Sequence, residues 1–559
     1  MTLVSLRVLA LACALAPCLP ALARPTTPFV IAPMIEGVGY CAAGAKSGTV
    51  PLALATCASQ DNPSAALIQA ALNRLEPGGA AGNVQIGYTI GINLLGFDKP
   101  ADLQAHLNKL QKLIQTTRRP VVLYLMGNQF AAPPAHRSLP TSSYTVFSDQ
   151  TVPKEHYFVN SINAWTLETD AALEINQLRF AALGTVGRWY STLPATLQDR
   201  IVGFTLAGEL HHFFPDFANG MGRYDNIRVT DYSPTSVKAF QAWLRNRQPL
   251  LSRLNQQWGS KFNQFSDIAP PAKDIRRDKL KGFHQHFDAY AHGLLPVEGW
   301  LSALPANHQI EVYLDGKLLG QAEYGLSRQD VYEAVPDIKQ AGVGFRYWLD
   351  FSVLPRGIHT LQVALVGVGE KRELARRKIV LMGNHQGPPP PVTGEAPLGK
   401  AAPAQRFWLD QPRDMQDYYF NPLAKAWNEF RSHQVKQALY QWFDAAVASG
   451  LPRGKLYSHQ IATATVGTWN PLLTASDASL TGPQPYKKGI NLYGGALNIE
   501  LLRHHYLTPG EPFAVPEFHT QAWKNPKAPA QVLASFKTAG ASFVSPYFMT
   551  LFPANLRGK

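Results

Sequence analysis

The sequence predicts an α/β fold: a (β/α)8 TIM barrel interrupted by an inserted β-sandwich. Three observations carry that prediction. Short apolar runs alternate with helix-period segments at both ends of the chain, the pattern of a parallel barrel or doubly wound sheet. Eight such runs can be counted, the strand number of a closed parallel barrel. Between about residues 296 and 383 helical period gives way to short alternating strands with turn signals.

In order along the chain, residues 29–34 form the first expected strand. Asn62 is placed to cap a helix over 63–75. Residues 84–95 are the second strand, and 101–117 an amphipathic helix with Leu103, Leu107, Leu110 and Ile114 on one face. The third strand is 121–126, and a helix over 167–190 leads to the fourth at Ile201. In the insert, 310–318 reads as a hairpin turning at Asp315-Gly316, followed by strands 344–349 and 359–365. The proline run after Gly387 is a stiff spacer. Alternation then resumes with a helical region over 417–449 and strands 455–461, 489–493, 513–517 and 542–549. The expected organisation is a signal peptide at 1–23, barrel at 24–295, insert at 296–386, linker at 387–404 and barrel again at 405–559.

The first 23 residues carry one charge, Arg7, then an apolar stretch from Val8 to Ala16 and the small-x-small pattern Ala21-Leu22-Ala23. This predicts export, with cleavage near Ala23 and a periplasmic or secreted product. The apolar stretch falls short of the roughly 20 residues that span a bilayer, and no later segment qualifies. Cleavage removes Cys13 and Cys18 and leaves Cys41 and Cys57, a pair that reads as a disulfide in an oxidising compartment. The alternative is two independent buried thiols.

The 559 residues are 46% hydrophobic and 16% charged, enough for a large core and unlike a disordered or polytopic chain. The formal net charge is +13, but the densest basic groups, Arg276-Arg277 and Arg376-Arg377-Lys378, are short. No nucleic-acid motif accompanies them, so no nucleic-acid partner is expected. An anionic polysaccharide suits the charge of an exported protein better. No Gly-rich phosphate loop follows a strand, so no nucleotide cofactor is expected. His284, His286, Asp288 and His292 do not predict a metal site, because helical neighbours two apart point away from each other.

Two strands end in carboxylates. Glu209 closes the run that begins at Ile201, and Glu517 closes the run that begins at Phe513. Such a pair on one barrel face is what glycoside hydrolysis requires. The alternative for each is a solvated loop residue or half of a structural ion pair. Glu36, Asn128-Gln129, His459, Trp523 and Tyr547 lie near the C-terminal ends of strands, and His211-His212 follow Glu209; these are candidate sugar contacts.

Carboxylates after strands four and seven resemble the arrangement of the retaining clan A glycoside hydrolases. Phe240-Gln-Ala-Trp243-Leu244, Leu250, and Leu254-Asn255-Gln-Gln-Trp258-Gly259-Ser-Lys-Phe262 resemble the segment after the acid/base strand in family 42 β-galactosidases. The insert resembles bacterial Ig-like modules at Val312 to Gly316, Tyr324-Gly325, Arg328-x-Asp330-Val331, Leu349-Asp350 and Gly357-x-His359. The resemblance implies a retaining β-glycosidase acting on an oligo- or polysaccharide. Glu209 would be the acid/base, Glu517 the nucleophile, and Tyr493 a hydrogen-bond donor to Glu517. It also exposes a departure. The Asn that usually precedes the acid/base and binds the sugar 2-hydroxyl is Gly208 here, leaving His211, Asn128 or His459 as candidates for that task. Gly208 also supports the alternative function, a non-catalytic carbohydrate-binding or polysaccharide-assembly protein on a degenerate barrel.

Overall fold

Eight parallel strands close on themselves in the computed structural model of the protein. They are β1 (Phe29–Ile31), β2 (Tyr88–Asn93, extended backwards by Val84–Ile86), β3 (Val121–Met126), β4 (Ile201–Ala207), β5 (Leu456–Tyr457 and Gln460–Ile461), β6 (Lys488–Asn491), β7 (Phe513–His519) and β8 (Ala541–Tyr547). Each pairs with the next, from Phe29 against Val84 through Phe513 against Ala541. β8 returns to β1 with Val30 opposite Phe543, which closes the barrel. The structure describes residues 28–34, 68–69, 72–154, 156–157, 160–213, 224, 227–383, 406–493, 499–519 and 527–547. The expected signal peptide, Cys41 and Cys57 and the 387–404 linker lie outside them.

The strands are legible as apolar runs because a barrel strand is covered on both faces. All six residues of β3 are buried, with side-chain layers inside the barrel and helices outside. Helix α1 (Pro100–Thr117) covers this region with Leu103, Leu107, Leu110, Leu113 and Ile114, and proline at its first turn fits the helical φ. Helix α2 (Glu174–Thr192) begins seven residues later than the expected 167. Asp170 starts a turn there, bonding the Ala172 N–H at 2.8 Å, while the Asn176 amide takes the carbonyls of Glu168 and Asp170. These side-chain bonds give the backbone a competing partner and delay the helix.

Helix α3 (Pro234–Arg247) follows β4, and helix α4 (Pro422–Ala448) leads into β5. The Asn421 side chain caps α4 at the Leu423 N–H, 3.0 Å away. Val435, Leu439, Trp442 and Phe443 of α4 pack with Leu183, Val186 and Trp189 of α2.

Between α3 and α4 the chain builds a second, eight-stranded sheet. Its order is Phe407–Gln411, Leu294–Leu301, Gly344–Asp350, Lys317–Leu326, Gln309–Leu314, Gly357–Gly367, Glu370–Gly383 and Gln416–Tyr419. All neighbours are antiparallel except the last pair. The expected hairpin turn is present: Asp315 and Gly316 both have positive φ, 50° and 77°. The Asp315 carboxylate accepts the Thr360 N–H at 2.8 Å and lies 2.7 Å from His359 Nδ1. Residues 407–411 and 416–419, expected as barrel, pair onto the two edges of this sheet. Its core runs continuously into Phe240, Trp427 and Phe430 of α3 and α4. Among the described residues, no helix is long and apolar enough to cross a membrane.

Candidate active site

The carboxyl ends of the barrel strands gather the side chains that can do chemistry, as barrel geometry requires. β4 stops at Ala207, so Glu209 lies two residues beyond the strand rather than closing it. Ala207 and Gly208 both adopt positive φ, 60° and 99°, and the Gly208 N–H donates to Leu206 O at 2.6 Å. A Cβ at 208 would lie 2.3 Å from Asn128 Nδ2 and 2.3 Å from the Tyr124 hydroxyl. Conformation and space therefore both demand glycine. Asn128, two residues past β3, stands where a side chain at 208 would begin.

Glu517 sits within β7 rather than at its end, facing the same site as Glu209. The two carboxylates share partners. Tyr493, just past β6, places its hydroxyl in hydrogen-bonding reach of both, 3.0 Å from Glu517 Oε1 and against Glu209 Oε1, with one proton to donate to either. Asn491, the last residue of β6, donates from Nδ2 to Glu209 Oε1 at 2.8 Å and reaches Glu517 Oε2 at 3.5 Å. His459, in the break between the halves of β5, lies 3.1 Å from Glu517 Oε2 through Nε2 and 3.0 Å from Thr205 Oγ1 through Nδ1. Its ring stacks on Tyr124 at 3.9 Å, which fixes its plane. Gln129 Nε2 approaches Glu209 Oε2 at 3.5 Å.

Glu209 and Glu517 are only 7% and 9% exposed. Burial, reinforced by the neighbouring Glu517 charge, raises the Glu209 carboxyl to about 8, against the opposing bonds from Tyr493 and Asn491. Burial and the two carboxylates push the Tyr493 phenol well above its ordinary value, so it remains a donor.

This has a measurable consequence. The unfolded chain ionises Glu209 near 4.5, the folded chain near 8. The folded state binds more protons across that window, so stability falls as pH rises through it. Glu209→Gln, neutral in both states, should melt several degrees above wild type at pH 8 and nearly level with it at pH 4. Calorimetry that finds no widening gap between those pH values would contradict the assignment.

Of the other expected residues, His211 lines a small cavity with Glu209 and Asn128. Burial lowers His211 to about 4, so it is a neutral lining group. His212 turns away, its Nε2 3.2 Å from the Arg431 carbonyl, and is structural. Glu36 and Trp523 lie outside the described residues, as does the Tyr547 side chain. Sequence reasoning missed Asn491, although the strand-end rule that picked out His459 applies equally to it.

Asp274, His286 and Asp288 bring possible ligand atoms within 4.8 Å of one another. The Arg276 guanidinium already bonds both carboxylates, at 3.1 and 2.8 Å, and His286 Nδ1 accepts the Ile275 N–H. The cluster is an ion-pair network closed by a protein cation.

Residues 223–291 match the model of glycoside hydrolase family 42, described as beta-galactosidase. The matched stretch begins after Glu209 and contains α3 and the Trp258-Gly259 turn. The catalytic domain of a beta-amylase from Paenibacillus polymyxa is similar in structure at a TM-score of 0.44 and 8% identity, over 93% of this chain and 92% of that one. Comparison with curated proteins gives no match. The family match covers 69 of the 559 residues, a local likeness that lies between the two buried carboxylates along the chain.

Proposed function

We propose that the protein is an exported retaining β-glycosidase that hydrolyses an oligo- or polysaccharide, with Glu209 as acid/base and Glu517 as nucleophile. The observation that carries the reading is the sharing of Tyr493 and Asn491 by both carboxylates. Two carboxylates joined through one donor stand within two hydrogen-bond lengths, about 6 Å, below the ~6.5–9.5 Å separation that leaves room for an inverting water. Export with cleavage near Ala23 belongs to the same proposal and rests on the N-terminal pattern; sequencing the mature N-terminus tests it.

The chemistry follows from the electrostatics. Glu209 carries a proton at neutral pH and gives it to the glycosidic oxygen as the ionised Glu517 attacks the anomeric carbon. The glycosidic bond breaks, the leaving group departs as an alcohol and an ester forms on Glu517. Esterification removes the negative charge that helped raise Glu209. The acid thereby becomes a better base for the second step. Glu209 then takes a proton from water, the water oxygen attacks the anomeric carbon, and Glu517 leaves as a carboxylate. Tyr493, Asn491 and His459 hold Glu517 in one orientation throughout.

Screening the purified protein on aryl β-glycosides and native polysaccharides tests the reading. Turnover that both Glu209 and Glu517 are needed for supports it, and no turnover by wild type favours a carbohydrate-binding protein. The basic limb of kcat/KM should report Glu209 near pH 8. Tyr493 favours the ionised form of Glu209, so Tyr493→Phe should move that limb to higher pH. The same change should lower kcat/KM by about 100-fold, the typical cost of removing one preorganised donor. A limb that stays put or moves to lower pH would contradict the arrangement.

A further inference from the structure

Arg179, on the second turn of α2, is 4% exposed, lines a cavity together with Glu209 and has no counter-ion. Five arginines among the described residues are buried, and each of the other four has an ion pair or several carbonyl acceptors. Arg119 pairs with Glu76, Arg328 with Asp330 and Asp410, and Arg346 with Glu298. Arg431 donates to the carbonyls of Thr230, Leu472 and Leu473 and to Asn428. Arg179 has one bond, 3.3 Å from NH1 to Asn176 Oδ1, and the face of Trp442 at 5.9 Å. Its Nε is buried with no partner. Burial alone lowers it, to about 9, with no neighbouring charge to oppose the shift. An unneutralised buried guanidinium is costly and calls for an anion.

The cavity that Arg179 lines shows where that anion would sit. Glu209, His211, Asn128 and Trp165 share its walls. Asn128 Nδ2 is a second buried donor with no partner. The cavity is about 20 Å³, room for one or two water-sized groups rather than a sugar ring. A guanidinium and an amide donor flanking so small a space suit the two oxygens of a compact anion. We propose that the sugar bound at Glu209 and Glu517 carries an anionic substituent, the carboxylate of a uronic acid or an equivalent sulfate ester, which enters this cavity and pairs with Arg179 and Asn128. The inference rests on the glycosidase reading and names its substrate class. The net charge of +13 favours approach of such a polyanion.

The test compares matched aryl β-glycosides on the full chain: glucuronide against glucoside, galacturonide against galactoside, and a 6-sulfated against an unsulfated galactoside. Wild type should prefer one acidic member of these pairs by about 100-fold or more, and which one identifies the anion. Arg179→Met should collapse that acidic-to-neutral ratio by about 100-fold, chiefly through KM, and Arg179→Lys should restore part of it. Removing an uncompensated buried charge should leave the melting temperature of Arg179→Met unchanged or raised, which shows that the variant folds. Glu517-dependent turnover of neutral glycosides at least as fast as of their acidic partners overturns the proposal and leaves the glycosidase reading standing. If no glycoside is turned over, that reading fails and binding decides the anion site. Uronate or sulfated oligosaccharides that raise the melting temperature in wild type but not in Arg179→Met support the site, and the absence of such a shift overturns it.

Discussion

Glu517→Gln should abolish turnover, by about 10⁴-fold or more, while substrate binding survives. The amide keeps the shape of the carboxylate and remains within reach of Tyr493 and His459, which lie 3.0 and 3.1 Å from the Glu517 oxygens. It has no charge with which to attack the anomeric carbon, so no ester forms. The same substitution removes the negative neighbour that helps raise Glu209. Steady-state rates together with equilibrium binding of an intact oligosaccharide check both halves. Activity near wild type would remove Glu517 from the mechanism.

The second large effect separates the other role. Glu209→Ala should slow hydrolysis of natural glycosides by about 10²–10⁴-fold, the usual contribution of a positioned acid. Aryl glycosides whose leaving group departs without protonation should be spared in the first step and stall at the glycosyl-enzyme. Azide should restore their turnover, because a small anion attacks the intermediate without a general base. The azide product should have the β configuration, since two displacements on opposite faces restore the starting geometry. The basic limb near pH 8 that wild type owes to Glu209 should vanish in the same variant. An α-glycosyl azide, or a limb that persists, would contradict the account.

The barrel was legible because its strands are buried on both faces. β3 reads as a short apolar run with no polar side and β7 as an apolar run up to Glu517, and the order of the strands along the chain is their order around the barrel. Glu209 and Glu517 stood out for the same reason, as carboxylates following apolar runs. Long-range pairing was not legible. Residues 407–411 and 416–419 gained strand structure only from the edges of a sheet formed more than a hundred residues earlier in part, by Leu294–Leu301. The late start of α2 depends on Asp170 and Asn176 side chains that outcompete helix bonds locally. Gly208 read as a missing Asn, whereas the structure places Asn128 against it from another strand. Arg179 carried no signal, because a helical arginine ordinarily faces water and burial is visible only once α2 is packed.

Trapping the covalent intermediate tests the central claim most directly. A slow 2-deoxy-2-fluoro glycosyl donor with an activated leaving group, matched to whichever sugar the screen identifies, would be incubated with the enzyme. The digested protein would then be mapped by mass spectrometry. The account predicts one sugar adduct on the peptide that contains Glu517, formed with release of the leaving group and lost on addition of an acceptor. An adduct on a different residue, or release of the leaving group under turnover with no adduct at Glu517, would contradict it.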